Sequence, residues 1–547
     1  MSRPPVTRPA TGTQPAGNAE AGGRPRGWRD PVVLAIAVTT LAALALRAYQ
    51  VSRPGFLMGV IEYDDGTDFG GAVRMVNGAL PYRDFIMVQP PGITLLMVPV
   101  ALTAKGLGTA GALAIGRMMT VLASTAGVAL AGLLVRHRGL LATLVTCGLV
   151  AVYPDSVAAA KTVLLEPWLV LFCLLGALAA FDRDRLASDR RLLLGGLAFG
   201  FAGAIKVWAI LPVLVILVLA ARQPRRAGRF AAGVAAGFLV PVVPFAALAP
   251  RTFYDSVVVA QLLRVDLVRI PLGQRLTDIT GLSHLQIAPA GLLAVMVVLI
   301  LALTVGASAL ATRLTRRRPS PLEWFALGTS ALVVVAFLWP ADFYYHYPAF
   351  LAPFLGMAIG LPAARLLPAL AALPAERRPR FLRGQRAGRW LRPRGALWVA
   401  GVVLAACALG QTVAESNMST AVPPSAIAAA RHMIKPGACV LSDQASYTMA
   451  ADRFVSRSRG CSLMVDGIGT DYALSHGRNG LTGAGEAPRV RAIWMSAFRS
   501  AQYLWLTSVS ARRIPWTPQL RSYFLTHFAP LTEGPDWLYV RMAGRRD

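Results

Sequence analysis

Glu62-Tyr63-Asp64-Asp65-Gly66 follows the first long apolar run of the chain. Tyr82-Arg83-Asp84-Phe85 and Gln89-Pro90-Pro91-Gly92 come soon after it. Carboxylates gathered where a hydrophobic segment ends have no place against lipid, so they mark a polar site at one membrane surface. The rest of the chain fits that setting. Of 547 residues, 55% are hydrophobic and only 15% charged, too little polar surface for a soluble protein of this length. The expected fold class is a polytopic α-helical membrane protein.

The formal net charge is +28. Its excess is arginine in short gaps between apolar segments, the pattern that orients membrane proteins, and it does not call for a nucleic-acid partner. Apolar segments fall at 31–50, 115–135, 139–153, 163–181, 192–206, 209–221, 230–249, 288–311, 322–339, 349–365 and 396–413. Residues 1–30, rich in Pro, Gly, Thr and Arg, read as a disordered tail. Segment 31–50 reads as an uncleaved first helix because many spans follow it. About eleven transmembrane helices with the N-terminus cytoplasmic put the arginine clusters at 24–29, 136–138, 183–191, 225–229 and 316–318 inside, along with the basic loop 366–395. The same topology puts Glu62 to Lys105, Tyr153 to Glu166, Lys206, Arg251 to His284 and Trp339 to Pro348 outside. It requires 92–105 to be a surface or re-entrant helix, while Phe69, Val73, Val76 and Leu80 at helical spacing make 66–80 an amphipathic one in the outer interface. The transmembrane domain is then 31–413, with 51–114 as its first outer loop. Residues 414–547 have no spanning run and alternate short apolar runs (Cys439 to Leu441, Tyr503 to Leu506, Trp537 to Val540) with helical stretches at 425–434 and 488–499. They read as a small extracytoplasmic α/β domain.

Several side chains could carry chemistry. One of Asp64 and Asp65 could cap a helix beginning near Gly66, but capping needs one acid, and a carboxylate facing a polar cavity can take a proton from a hydroxyl. Lys206, between two apolar segments, either snorkels to the outer surface or faces an anion. Arg264 and Arg269 are further cations on the outer side, where a lipid phosphate would account for them. Tyr344-Tyr345-His346-Tyr347 form either an interfacial aromatic belt or a sugar-binding wall. Cys147, Cys173 and Cys407 lie in apolar segments. Cys439 and Cys461, in the polar outer region, are each other's candidate disulfide partners, the alternative being two buried thiols. No zinc-ligand cluster, phosphate loop or nucleophile elbow is present in the sequence.

In order and sidedness, residues 31–365 resemble the GT-C superfamily of polyprenyl-phosphate-sugar-dependent glycosyltransferases. The likeness is to its bacterial branch of aminoarabinose transferases, protein-mannosyltransferase-like proteins and rhizobial core transferases. Asp64-Asp65 resembles the Asp-Glu pair of the family's first outer loop, with Asp in place of the usual Glu at 65, which implies catalytic roles for Asp64 and Asp65. Gln89-Pro90-Pro91-Gly92 resembles its His/Lys-Pro-Pro-Leu step, altered at both ends. Lys206 matches the lysine that contacts the lipid phosphate, and Arg264, or else Arg269, matches its arginine partner. Glu62, Tyr82, Asp84, Tyr345, His346 and Tyr347 are then expected on the substrates.

The resemblance implies an inverting transfer of a sugar from polyprenyl phosphate to a hydroxyl of an envelope glycan, glycolipid or protein. The transfer would take place at the outer face of a multi-pass plasma-membrane protein. The lipid-linked sugar is a substrate, no cofactor is called for, and a divalent metal stays open. The Arg/Ala-rich composition suggests an actinobacterial source. A lipid or sugar transporter and an envelope-assembly scaffold are the alternatives. A transporter would place its ionisable groups near the midplane and tend to repeated halves, and a scaffold would not call for Lys206.

Overall fold

The computed structural model of the protein describes residues 30–262, 270–282, 289–338, 343–374, 393–476, 483–510, 513–531 and 537–542. It begins with helix α1 (Pro31–Ser52). Asp30 caps it by accepting a hydrogen bond from the Val32 amide, with proline at the first helical position. Then come α2 (Tyr63–Val76), α3 (Gly92–Ala101) and α4 (Ala104–Val135). With 10 residues, α3 is too short to cross a bilayer. Helix α4 starts well before the apolar run at 115 and changes direction at Gly108, whose φ is +75°.

The chain continues through α5 (Leu140–Val152), α6 (Pro154–Ala158), α7 (Leu165–Ala180), α8 (Asp189–Ile205), α9 (Ile210–Ala220) and α10 (Pro224–Leu248). Helices α11 (Ala290–Thr315), α12 (Pro321–Phe337), α13 (Ala352–Ala371) and α14 (Pro393–Ser416) complete the apolar region. Among the described residues, α1, α4, α10, α11, α13 and α14 are long and apolar enough to cross a membrane. The α5–α6 pair, bent by 56°, makes a seventh if it is one broken span. Helices α7, α9 and α12 are apolar but shorter. Helix α13 runs on to Ala371, so the start of the 366–395 segment is helical, not loop; residues 375–392 of it lie outside the described residues.

A buried aromatic core joins α8, α12 and α13 through Phe199, Phe325, Phe337 and Phe354. Helices α8 and α10 meet through glycines instead. A Cβ on Gly196 or Gly200 would stand 2.3 or 2.2 Å from the carbonyl oxygens of Phe230 and Val234. One on Gly233 or Gly237 would stand 2.2 Å from those of Leu193 and Leu197. Two Gly-x-x-x-Gly faces therefore let the backbones touch.

After α14 the chain forms a four-stranded sheet: β1 (Val440–Ser442), β2 (Tyr503–Leu506), β3 (Phe528–Pro530) and β4 (Trp537–Arg541), in the order β1-β2-β4-β3. β1 and β2 are parallel, with Leu441 opposite Leu504, and the other pairs are antiparallel. Alternation along β2 sends Tyr503 and Trp505 to one apolar layer with Ile427 and Tyr447, and Leu504 and Leu506 to another with Trp494 and Phe498. The first layer holds α15 (Pro424–Met433) and α16 (Ala445–Ala450); the second holds α18 (Pro488–Ser500) and α19 (Pro518–His527). Helix α17 (Gly467–Ser475) packs through Tyr472 and Ala473 with Val88 and Ala260 of the membrane domain. The result is an α/β unit. Cys439 and Cys461 are joined in a disulfide, with Cα atoms 5.4 Å apart, at the start of β1.

Gly200→Val should force α8 and α10 apart, at a cost of about 1–3 kcal/mol or more for an overpacked contact. A lower melting temperature for Gly200→Val beside an unchanged one for Gly306→Val, where a Cβ meets nothing within 4 Å, is the expected result. Equal melting of both variants would contradict the packing.

Candidate active site

Helix α2 starts at Tyr63, with Glu62 as its N-cap residue making no side-chain cap bond. Asp64 and Asp65 thus sit in the first turn, and neither is the cap the sequence suggested. Successive helical residues point about 100° apart, and the two acids go separate ways. The Asp65 side chain is wholly buried. It accepts from the Val163 amide at 2.8 Å and is paired with the Arg117 guanidinium. Arg117, also wholly buried, donates in addition to the carbonyls of Phe56, Leu57 and Gly59 at 2.8–2.9 Å. Asp65 therefore anchors α2 to α4, away from the cavity where a base would have to act.

Asp64 instead faces a cavity of about 290 Å³ whose wall includes Glu62, Asp68, Gln89, Lys206, His346 and Asp466. Its carboxylate remains 43% accessible, the open acid in an otherwise buried group. Lys206 lies at the break between α8 and α9, where the backbone is extended (φ −149°, ψ 130°). Its Nζ is 2.5 Å from Glu166 Oε1, and it stands over the rings of Trp208 (3.8 Å) and Tyr347 (4.3 Å). Glu166, in the first turn of α7, has its other oxygen 2.8 Å from His346 Nδ1, and His346 Nε2 is 3.5 Å from Asp64 Oδ2. A continuous line of alternating charge thus runs Lys206–Glu166–His346–Asp64.

Burial alone would lower the His346 pKa. The Glu166 charge and the hydrogen bonds with Asp64 and Glu166 outweigh it and raise the value to about 10, so the ring is an imidazolium at neutral pH. Asp68, one turn after Asp64, is pushed well above the carboxylate range by burial, and further by the charges of Asp64 and Glu166. Glu62 accepts from Thr162 and from the Tyr345 hydroxyl at 2.5 Å. Burial raises its pKa, offset in part by His346 and those two bonds.

The C-terminal domain closes the site. Asp466 caps α17 through the Gly469 amide at 2.7 Å and accepts from the Tyr63 hydroxyl at 2.9 Å. Arg513 lies over the Tyr63 ring at 4.9 Å and donates to Gln444 at 2.6 Å. Gly66 permits this docking: a Cβ there would be 2.2 Å from the Ser446 amide nitrogen.

Of the residues expected at the site, Glu62, Asp64, Lys206, Tyr345, His346 and Tyr347 line the cavity, as does Gln89. Tyr82 and Asp84 do not. Tyr82, at φ +67°, is buried against Phe253 and gives its hydroxyl to the Gln89 carbonyl. Asp84 accepts from the Leu80 amide and pairs with Arg83 at the surface. Both shape the turn that delivers Gln89. Arg264 and Arg269 lie outside the described residues. Glu166, Asp68, Asp466, Arg513 and Tyr63 were not foreseen. Only Glu166 left a signal, an acid opening an apolar run on the side expected to face out. Among the described residues no group of three or more His, Cys, Asp or Glu is disposed around a metal position.

The glycosyltransferase family 87 model matches residues 88–340, a stretch that contains Gln89, Glu166 and Lys206. The structure is similar to ArnT from Cupriavidus metallidurans bound to undecaprenyl phosphate, with a TM-score of 0.57 and 18% identity over 94% of this chain and 98% of that one. It is similar also to the archaeal oligosaccharyltransferase AglB from Archaeoglobus fulgidus in complex with an inhibitory peptide and a dolichol-phosphate. There the TM-score is 0.51 and the identity 11%, over 94% of this chain and 74% of that one. These likenesses show that the chain has the same fold as these proteins, and the partial match to the glycosyltransferase family 87 model agrees with it. No curated protein matches it in sequence.

The two adjacent acids should separate on mutation. Asp65→Asn leaves the buried Arg117 without its counter-charge, which costs about 3–5 kcal/mol in such pairs. Thermal melting should therefore drop sharply for Asp65→Asn and stay near wild type for Asp64→Asn. The reverse order would mean that Asp65, not Asp64, is the acid free to act.

Proposed function

We propose that the enzyme moves a sugar from a polyprenyl-phosphate donor to a hydroxyl of an envelope glycan, lipid or protein at the outer membrane face. The observation that carries this reading is that an accessible carboxylate, Asp64, and a membrane-boundary lysine, Lys206, line one cavity. An acceptor hydroxyl at Asp64 gives up its proton while its oxygen attacks the anomeric carbon. The sugar–phosphate C–O bond breaks and the electron pair leaves on the phosphate, which needs no acid because Lys206 balances the developing charge. A single displacement inverts the anomeric centre. The imidazolium of His346 beside Asp64 favours the ionised base.

The lipid also has a place. A groove of about 470 Å³ between α8, α9 and α10, lined by Phe199, Gly203, Val207, Val213 and Phe238, begins at the residue after Lys206. An isoprenoid tail there would leave its phosphate at the lysine. Both named neighbours carry a polyprenyl phosphate in their structures, undecaprenyl in one and dolichol in the other.

Asp64→Asn should reduce transfer about a hundredfold or more, the usual scale for loss of a general base, without loss of folded protein. Purified enzyme supplied with polyprenyl-phosphate sugars, and envelope glycans of a deletion strain analysed by mass spectrometry, would identify sugar and acceptor. Wild-type turnover by Asp64→Asn would remove the assignment.

The proposed sidedness has the N-terminus and the arginine gaps cytoplasmic and the cavity and 414–547 outside. Arg83→Cys and Arg225→Cys test it, since both side chains are accessible, at 48% and 82%. An impermeant thiol reagent on intact cells should label the first and spare the second; labelling of both or of the second alone would overturn the topology.

A further inference from the structure

The lysine proposed to hold the donor phosphate already has an anion on it. Glu166 is wholly buried and its Oε1 lies 2.5 Å from Lys206 Nζ. We infer that Glu166 is a built-in stand-in for the donor phosphate: it neutralises Lys206 in the empty site, yields it when the donor binds, and reclaims it as polyprenyl phosphate leaves. This rests on the reading of Lys206 given above.

Three features support the exchange. A lysine only 7% accessible at the end of an apolar helix is costly without a counter-charge, so the empty site needs one. Glu166 is held from its other oxygen by His346 at 2.8 Å, so the carboxylate keeps a cation when Lys206 turns away. The two cations differ in freedom. His346 is a short, buried ring, whereas Lys206 has a four-carbon stem and two aromatic faces, Trp208 and Tyr347, along which its ammonium can shift.

The chemistry gives the exchange a use. The donor is a phosphodiester with one negative charge. Once the anomeric C–O bond breaks and the acceptor oxygen takes the sugar, the carrier is a monoester whose second ionisation lies near neutrality. The product therefore binds a bare lysine more tightly than the donor does, and a competing carboxylate 2.5 Å away opposes that product trapping.

The test is binding of a short-chain polyprenyl phosphate to the full-length protein in lipid nanodiscs. Glu166→Gln should bind it about tenfold more tightly than wild type, the scale of one charged hydrogen bond. Lys206→Ala should bind more weakly, and the double variant should match Lys206→Ala alone, since Glu166 acts only through the lysine. Inorganic phosphate, tested in parallel, reads the headgroup contribution without the tail.

Unchanged or weaker binding by Glu166→Gln, with Lys206→Ala still impaired, would overturn the stand-in role and leave the donor reading intact. Unchanged binding by Lys206→Ala would overturn the donor reading itself. Because Glu166→Gln strands two buried cations, its melting temperature is measured with and without the same ligand. The ligand-induced rise should exceed that of wild type. A smaller rise, or a variant that does not fold even with polyprenyl phosphate present, would also overturn the inference, since the phosphate is held to replace the carboxylate.

Discussion

A buried arginine organises the end of the membrane domain that carries the cavity. Arg117 lies within α4, in a stretch that is otherwise apolar, and its side chain has no contact with solvent. Such a charge persists in a membrane domain only if its donors are satisfied together. The carbonyls of Phe56, Leu57 and Gly59 and the carboxylate of Asp65 do that. The segment leaving α1 is thereby drawn against α4, and α2 is fixed by its first turn. Rotation by one helical position then aims Asp64 into the cavity. The residue that bears the proposed chemistry is oriented by its neighbour, which does none.

The Lys206 side of the cavity is set by a different constraint. Lys206 reaches the cavity because α8 ends at Ile205 and the chain is extended for one residue before α9. That break stays in place because α8 is clamped, backbone to backbone, on α10 through Gly196, Gly200, Gly233 and Gly237. Dispersion contacts between small residues are the available glue inside a bilayer, where burial against another helix gains little over burial against lipid. The same close approach leaves the apolar groove beside Lys206.

Much of this was legible in the sequence, and the failures have a common cause. Ionisable groups stand out against apolar surroundings, so Asp64, Lys206 and His346 could be picked without a structure. Their partners could not, because pairing is a long-range property: Arg117 is 52 residues from Asp65, and Glu166 is 40 from Lys206. Asp65 was misplaced because adjacency in sequence was read as adjacency in space, which a helix start at Tyr63 forbids. Tyr82 and Asp84 have the composition of a binding loop but are consumed by the local geometry of their own turn. The strands at Tyr503–Leu506 and Trp537–Arg541 lie where short apolar runs marked them. The short strand Phe528–Pro530 follows directly on a helix, and its sequence gave no such signal.

The C-terminal domain changes how the cavity should be regarded. Its sheet and helices form a self-contained three-layer unit, yet Asp466, Ile468 and Arg513 are part of the cavity wall. Contact at this depth needs a glycine at 66, an unusual residue for the first turn of a helix, because any side chain would strike the Ser446 backbone. The Tyr63 hydroxyl then joins the two domains through Asp466 and the Ile468 amide. Tyr63 immediately precedes Asp64 on α2, so any movement of the C-terminal domain acts one residue from the proposed base. Asp466 and Arg513 thus bring one acid and one cation of the C-terminal domain to the cavity that holds Asp64. The cavity wall is therefore built from two parts of the chain, with Lys206 and His346 from the membrane domain and Asp466 and Arg513 from the C-terminal one.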